Sequence, residues 1–502
     1  MTRRKSIVLE RTFILATRDT GYKSTAAAVA ELVDNALQAR ARHVDIILHD
    51  DEADGLALAV VDDGTGMNGW TLRTALCFGG STRFDDRRGQ GRFGMGLPNS
   101  SVSQAKRIDV YSWRAARNPI YCYLDVDEIA AGRMTQVPLI CRSSLPDWAT
   151  PHARRSGTCV VWRRCDRLDC KRRSTLLQRL HESLGQWFRY FLWAGVAITV
   201  NGEPVKAIDP LFLRRDDVPV LGHLYGEPLE YELRLPNAPT RTSKVTVRFV
   251  ELPLEQFHDL PVDAKRRLGI VKGAGVSMVR SDREIDYGWY LMGEKRKENY
   301  DDWWRCEVCF APELDEYFGV THSKQGVNPS VSLRSWLSAD LGAVAHKLNA
   351  RVRKRYAAVK ARLAQGQTAA TRMASRVDRD LPRVPQRCPA GRLTGMPAKR
   401  HEYHGLSYRI GSAKSDAAEF FTWRLDPDGV MHVVVNEDHP FYSRLYEPLC
   451  GGRNNSVSVA LECLLLAAAR AEAGLCGNNG HGKHLTRHRQ AWSDALAVFL
   501  GL

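Results

Sequence analysis

The stretch Glu31-Leu-Val-Asp-Asn35 decides the fold, together with two glycine-containing segments that follow it within the first hundred residues. The first segment is Val60-Val-Asp-Asp-Gly-Thr-Gly-Met67, and the second is Gly89-Gln-Gly-Arg-Phe-Gly-Met-Gly96. Each is common by itself. In this order they indicate a nucleotide pocket that carries its own hydrolytic base.

The composition is that of an ordinary globular protein, because 44% of the 502 residues are hydrophobic and 26% are charged. This length predicts about two to four domains. The formal net charge of +15 favours polyanionic partners such as nucleic acid, although general surface solubility is the alternative explanation.

Hydropathy and cysteine usage predict a cytoplasmic protein without a membrane partner. No apolar run is long enough to cross a bilayer, and the basic start at Met1–Ser6 is not followed by the apolar stretch of a secretion signal. The 12 cysteines are scattered among core-like residues, which favours free thiols over a disulfide framework.

The periodicity of apolar residues divides the chain into three domains and a linker. We predict a first domain over 1–205, a second over 206–365 that ends in a long basic helix, and a C-terminal α+β domain of unknown role over 401–502. Residues 366–400 lack periodicity and are rich in Arg, Pro, Gly and Gln, which is typical of a linker.

Glu31 and Asn35 stand four residues apart in a predicted helix over 25–40, so their side chains point the same way. A carboxylate can orient water and an amide oxygen can bind magnesium, and ATP hydrolysis needs both groups. The spacing alone is also typical of a solvated helix face.

Asp62 follows a buried-looking strand, where a carboxylate can accept a hydrogen bond from an adenine amino group. Gly64 and Gly66 remove side chains at the point where base and ribose must approach closely. The alternative is a plain Asp-Gly hairpin turn.

The glycine-rich segment 78–96 is predicted to fold over phosphates, because backbone N–H groups exposed by glycines bind anions. Gly94-Met-Gly96 lies directly ahead of a predicted helix. The alternative is a flexible surface loop.

Taken together, the ordered motifs resemble those of the GHKL superfamily, which includes gyrase B, a heat-shock chaperone, histidine kinases and MutL. Within it, the chain is most similar to MORC-like and MutL-like ATPases. The resemblance implies an α/β (α+β) fold: a Bergerat-fold ATPase sandwich, a ribosomal-protein-like transducer domain and a small α+β C-terminal domain.

The resemblance also implies a role for each matching residue. Glu31 matches the general base, Asn35 the magnesium ligand and Asp62 the adenine reader. Lys324, in Thr321–Gly326, is similar to the transducer lysine that reaches the γ-phosphate, and it is assigned a catalytic role with Glu31. The other residues implied to bind the nucleotide are Gly64, Gly66, Met67, Ser81, Thr82, Gly91, Phe93, Gly94, Met95, Gly96 and Thr158.

By resemblance, the chain binds ATP and Mg²⁺, hydrolyses ATP, forms a homodimer on ATP binding and switches conformation. The expected output is a DNA clamp or a signalling ATPase in prokaryotic antiviral defence or DNA maintenance, with partner proteins contacting residues 401–502. Two alternatives stay open: a nucleotide-gated scaffold with negligible turnover, and a chaperone-like protein binder.

Two further patterns are weaker. The basic patch of Arg351, Arg353, Lys354 and Arg355 predicts contact with DNA phosphates that is blind to base sequence, or else a solvated helix face. Metal binding by Cys306-x-x-Cys309, or by the group Cys476, His481, His484 and His488, is less favoured than core thiols and a polar loop.

Overall fold

The structure of the chain is a computed structural model. It describes residues 9–51, 55–80, 94–114, 119–170, 172–258, 260, 262–320, 326–364, 368–382, 384, 405–426, 429–450, 456–475 and 482–501. Among these residues, no helix is long and apolar enough to span a membrane.

The α-helices are α1 (Glu10–Asp19), α2 (Thr25–Gln38), α3 (Gly69–Leu76), α4 (Gly96–Val102), α5 (Val126–Ala130), α6 (Arg173–Trp187), α7 (Arg189–Trp193), α8 (Leu254–Phe257), α9 (Val262–Arg267), α10 (Asp315–Phe318), α11 (Val331–Ala364), α12 (Ala369–Val377), α13 (Glu447–Cys450), α14 (Ser456–Leu475) and α15 (Gly482–Phe499).

The strands are β1 (His43–Asp51), β2 (Gly55–Asp62), β3 (Arg107–Trp113), β4 (Ile120–Asp125), β5 (Cys141–Arg142), β6 (Gly157–Arg163), β7 (Ala197–Val200), β8 (Glu203–Pro204), β9 (His223–Leu224), β10 (Leu229–Leu235), β11 (Ala238–Glu251), β12 (Val276–Arg280), β13 (Arg283–Gly288), β14 (Trp304–Phe310), β15 (Ser407–Ala413), β16 (Phe421–Leu425) and β17 (Val430–Asn436).

The described residues group into two compact units. The first comprises Met1–Leu252 and Ala274–His346, and the second comprises Pro253–Gly273 and Lys347–Leu502. The predicted mixed α/β fold is confirmed. The predicted helix over 25–40 corresponds to α2, and the long basic helix expected at the end of 206–365 corresponds to α11. The division into three domains stays a prediction.

In the first unit, eight of the described strands form a sheet in the order β5-β4-β3-β6-β2-β1-β7-β8. Neighbouring strands run antiparallel, except that β1 and β7 are parallel. Successive side chains of the central strands face opposite sides, as the period of a strand requires. On β2, Val60 joins the core formed with α2, α4 and α6, while Val61 packs on the other face near Ala149.

Helix α2 is buried on nearly all sides. The side chain of Ser24 caps it by accepting a hydrogen bond from Ala27 N at 3.1 Å. Small residues such as Ala28 and Ala30 let neighbouring elements approach closely, while Leu32 and Val33 fill the core. Contacts with the surrounding core on several faces therefore fix the position of α2.

A second sheet in the same unit has the order β10-β11-β14-β12-β13, with β9 paired to β11. A buried charge cluster joins this sheet to α7. Arg189, fully buried, donates from Nη1 to Glu284 Oε2 and from Nη2 to Glu307 Oε2, both at 2.6 Å. Tyr190 donates to Glu307 at 2.8 Å. Breaking a buried pair of this kind costs about 3–5 kcal/mol, so the cluster holds α7 firmly against the second sheet.

The second unit contains a three-stranded sheet in the order β15-β17-β16 among its described residues. Strands β15 and β17 are parallel, and β16 and β17 are antiparallel. Its core includes Tyr408, Phe421 and Val433. Asp378 is buried there, accepting hydrogen bonds from Leu406 N at 2.8 Å and Arg470 Nε at 2.7 Å.

One part of the predicted linker over 366–400 is wrong. Ala369–Val377 form α12, which begins with Thr368 accepting a hydrogen bond from Thr371 N. The side chain of Ala370 is fully buried in the core of the second unit. This helix is only nine residues long, and tertiary packing rather than a long periodic pattern stabilises it.

Candidate active site

Asp62 ends β2 and is 9% exposed. Its Oδ1 accepts hydrogen bonds from Gly64 N at 2.8 Å and from Thr158 N at 3.3 Å. No donor from the described part of the chain reaches the second oxygen, Oδ2. The carboxylate is thus held by backbone on one side and keeps one acceptor for a ligand.

Asp62 and Asp63 are adjacent, but their pKa values are shifted in opposite directions. Burial raises the pKa of Asp62 to about 7, although hydrogen bonds from Gly64 and Thr158 oppose the shift. For Asp63, partial burial is outweighed by hydrogen bonds from the backbone of His43 and Arg42 and from the His43 ring, which lower its pKa. One carboxyl is therefore buried at the end of β2, and the other is hydrogen-bonded to the start of β1.

Two glycines let the ends of three strands meet beside Asp62. At Gly157, a Cβ atom would lie 1.9 Å from the carbonyl oxygen of Asp62. At Gly66, where φ is +64°, a Cβ atom would lie 2.1 Å from the carbonyl oxygen of Trp113. No side chain fits at either position, and the motif glycine Gly66 is explained by this crowding.

Ser112 on β3 connects the pieces of this pocket, and the sequence analysis missed it. Its hydroxyl accepts a hydrogen bond from Met67 N at 2.7 Å and donates to Gly157 O at 3.1 Å. It also lies 3.1 Å from Thr158 Oγ1. Met67 and Thr158, far apart in sequence, are brought together by this serine. A single serine within a strand carries no local signal that could have identified it.

Glu31 is 4% exposed and lies against the start of α4. A Cβ atom at Gly96 would be 3.1 Å from Glu31 Oε2, so the carboxylate lies close to the backbone of residue 96. Asn35, one helical turn beyond Glu31, has a buried side-chain nitrogen without a hydrogen-bond partner among the residues described. A buried amide nitrogen without a partner can hydrogen-bond a ligand.

The two ends of the predicted phosphate segment meet. Gly79 N donates a hydrogen bond to Gly94 O at 3.1 Å, and both glycines have positive φ, +79° and +61°. Met95 then leads into α4. The predicted binding residues Ser81, Thr82, Gly91 and Phe93 lie outside the described residues.

Lys324 also lies outside the described residues, which resume at Gly326. Val327 N donates to Asp286 Oδ2 at 3.1 Å. A Cβ atom at Gly326 would lie 3.5 Å from Nζ of Lys23, which precedes α2. The end of the predicted switch loop therefore reaches the beginning of the helix that carries Glu31.

No site role was predicted from the sequence for three further residues, Asp34, Arg283 and Tyr22. Asp34 is fully buried and is 3.3 Å from Arg283 Nε. Burial, and then the carboxylates of Glu31 and Asp34, raise the pKa of Tyr22. Neither Arg283 nor Tyr22 could be linked to Glu31 by local sequence spacing.

The two weaker cysteine and histidine patterns differ in how much of them the structure describes. Cys306 is fully buried within β14, and burial raises the pKa of its thiol. Cys476 and His481 fall outside the described residues. In the part of the chain that the structure covers, no three His, Cys, Asp or Glu side chains are grouped so that they could hold a metal ion.

Part of this site lies in a segment that matches a known protein family. Residues 22–155 match the family described as "Histidine kinase-, DNA gyrase B-, and HSP90-like ATPase". The match includes Glu31, Asn35, Asp62 and Gly96. No curated protein matches the chain. The resemblance to the GHKL superfamily is confirmed, while the closeness to MORC-like and MutL-like ATPases and the roles of individual residues stay predictions.

The opposite pKa shifts of Asp62 and Asp63 predict opposite pH effects. Because the folded pKa of Asp62, about 7, lies above the ordinary 3.8, its contribution to stability is lost as pH rises from about 4 through 7. Asp62→Asn should therefore gain stability relative to wild type over that range, by about 4 kcal/mol at most. Urea unfolding at a series of pH values measures this difference.

Asp63→Asn is the matched control. The lowered pKa of Asp63 contributes stability that is present above its unfolded pKa and is lost as pH falls. This variant should be less stable than wild type at neutral pH, with a difference that shrinks in acid. Equal pH slopes for the two variants would contradict the assigned environments.

Proposed function

Because residues 22–155 match a GHKL-type ATPase domain, we propose that the chain binds ATP with Mg²⁺ and hydrolyses it, releasing the γ-phosphate. The contact between Glu31 and Gly96 carries this proposal. It sets a buried carboxylate at the end of the glycine-rich segment, 3.1 Å from the position of a Cβ at residue 96. A carboxylate in such a position can accept the proton of an attacking water molecule.

The adenine end of the nucleotide is assigned to the Asp62 pocket. Oδ2 of Asp62 would accept a hydrogen bond from the adenine amino group, beside Thr158 and the glycine backbone of Gly66. This assignment is supported by Oδ1 being already engaged by two backbone N–H groups.

The magnesium site is assigned to Asn35. Its unpaired buried amide fits an oxygen-seeking ion, because rotating the amide by half a turn exchanges nitrogen and oxygen. When bound, Mg²⁺ neutralises phosphate charge. Glu31 and Asn35 lie on one face of α2, so a single buried helix would orient both the base and the ion ligand.

We further propose that ATP orders the 78–96 segment, favours dimerisation of the N-terminal domains and draws Lys324 to the γ-phosphate. Two contacts support this proposal. Gly79 N is hydrogen-bonded to Gly94 O, where the 78–96 segment joins the domain, and Val327 N is hydrogen-bonded to Asp286 next to the predicted switch loop. By resemblance to MORC-like and MutL-like ATPases, the output is a DNA clamp or a signal to partner proteins, which we expect to contact residues 401–502.

Replacing Glu31 by Ala tests the hydrolytic role. We expect kcat for ATP to fall by about 10²–10⁴-fold, while binding of a fluorescent ATP analogue is retained, because the base acts in the transition state. Glu182→Ala on the exposed face of α6 is the control and should keep wild-type turnover. If Glu31→Ala abolishes turnover but leaves the nucleotide-dependent association of the chain and its DNA binding unchanged, the nucleotide-gated scaffold is the better description.

Nucleotide state should control association. We expect light scattering to give about twice the monomer mass with Mg²⁺ and a non-hydrolysable ATP analogue, and the monomer mass with ADP or no nucleotide. The Glu31→Ala variant should dimerise with ATP itself, because it binds without turnover. An identical mass in every nucleotide state would overturn ATP-gated dimerisation.

The proposed DNA contact is the basic patch on α11. Arg351, Arg353 and Lys354 are exposed, while Arg355 is half-buried and 3.8 Å from Glu255. A cluster of exposed cations binds DNA phosphates without distinguishing the bases. Each phosphate contact makes the slope of log affinity against log salt steeper by about 0.9.

We therefore expect the double variant Arg353→Gln/Lys354→Gln to bind duplex DNA more weakly and to lower the slope of log affinity against log salt by about 2. The control Arg241→Gln/Lys244→Gln removes the same charge from exposed positions on β11. Fluorescence anisotropy across salt concentrations measures both. If the two double variants behave alike, the patch on α11 is only a solvated helix face.

A further inference from the structure

We propose that Arg283 of the second sheet is a positioning residue for ATP hydrolysis, acting through Asp34 on the helix that carries Glu31 and Asn35. This inference rests on the proposed ATPase function and adds a residue to it. Arg283 would act on the reacting groups only through α2, by fixing where that helix lies.

The contact is a buried ion pair between distant parts of the chain. Arg283 Nε lies 3.3 Å from Asp34 Oδ1, and their side chains are 7% and 0% exposed. Asp34 comes three residues after Glu31 and one before Asn35, inside α2. Because an α-helix is a rigid rod over this distance, a force on Asp34 moves both neighbours with it.

The guanidinium of Arg283 is itself held in place from other directions. It lies 4.3 Å above the ring of Phe188 and 5.3 Å from that of Trp187. It also donates a hydrogen bond to the carbonyl oxygen of Glu284. A planar, delocalised cation suits this stacked site, and an ammonium group does not reproduce its geometry.

The strand that carries Arg283 also contacts the end of the predicted switch loop. Three residues on in β13, Asp286 accepts hydrogen bonds from Val327 N at 3.1 Å and from Tyr290 OH at 2.6 Å. Between the two, Glu284 is anchored by its buried pair with Arg189. One firmly held strand thus connects the residues next to the loop with the helix of the general base.

Arg283→Lys and Asp34→Asn test the role by separating turnover from binding. Each should lower kcat for ATP by about 10²-fold, the cost of a misplacement near 1 Å, while affinity for a fluorescent ATP analogue changes little. The double variant should cost no more than either single one, because both remove the same interaction. Asp34→Asn keeps the shape of the side chain, so it covers the case in which Arg283→Lys does not fold.

Arg280→Lys is the matched control. Arg280 is on neighbouring β12, is similarly buried and pairs with Asp315 at 2.6 and 2.8 Å, away from α2. It should lower the unfolding temperature but keep wild-type kcat.

The outcomes separate this inference from the proposal it rests on. A wild-type chain that binds ATP but never hydrolyses it overturns the ATPase function. An active wild type whose Arg283→Lys and Asp34→Asn variants keep full kcat overturns the positioning role. Loss of nucleotide affinity in parallel with kcat and unfolding temperature overturns it as well, because that pattern belongs to a residue needed only for folding.

Discussion

Backbone crowding at the ends of β2, β3 and β6 is the constraint on which the site depends. Gly157 comes so close to the carbonyl of Asp62, and Gly66 to that of Trp113, that neither position admits a side chain. The same closeness lets Thr158 N reach the Asp62 carboxylate and lets Ser112 join Met67 to Gly157. Asp62 is buried as a consequence, and burial is what raises its pKa.

Helix α2 relates this pocket to the rest of the first unit. Its buried faces hold Glu31 against Gly96 on one side and Asp34 against Arg283 on another. Helix α2 therefore carries the groups assigned to hydrolysis and also contacts the second sheet through Asp34. Residues 22–155, which include α2, match a family of ATPases, and under the proposed function this helix would connect the hydrolytic groups to the second sheet.

The sequence predicted the parts of the fold that are written in short patterns. The Glu-x-x-x-Asn spacing predicted that Glu31 and Asn35 share a face of α2, and the buried-looking strand expected before Asp62 corresponds to β2. What it missed depends on distant contacts. Ser112 and the Asp34–Arg283 pair have no local signature, because their partners are about 45 to 249 residues away. Helix α12 was taken for linker because its burial against β15 cannot be read from nine residues.

The buried trio of Arg189, Glu284 and Glu307 has an evolutionary consequence. Replacing Arg189 alone leaves Glu284 in the interior without a charged partner among the described residues, whereas Glu307 keeps its ion pair with the half-buried Arg248. Arg189 and Glu284 are therefore expected to change together. Distant descendants of this chain should keep both residues or have replaced both with neutral ones.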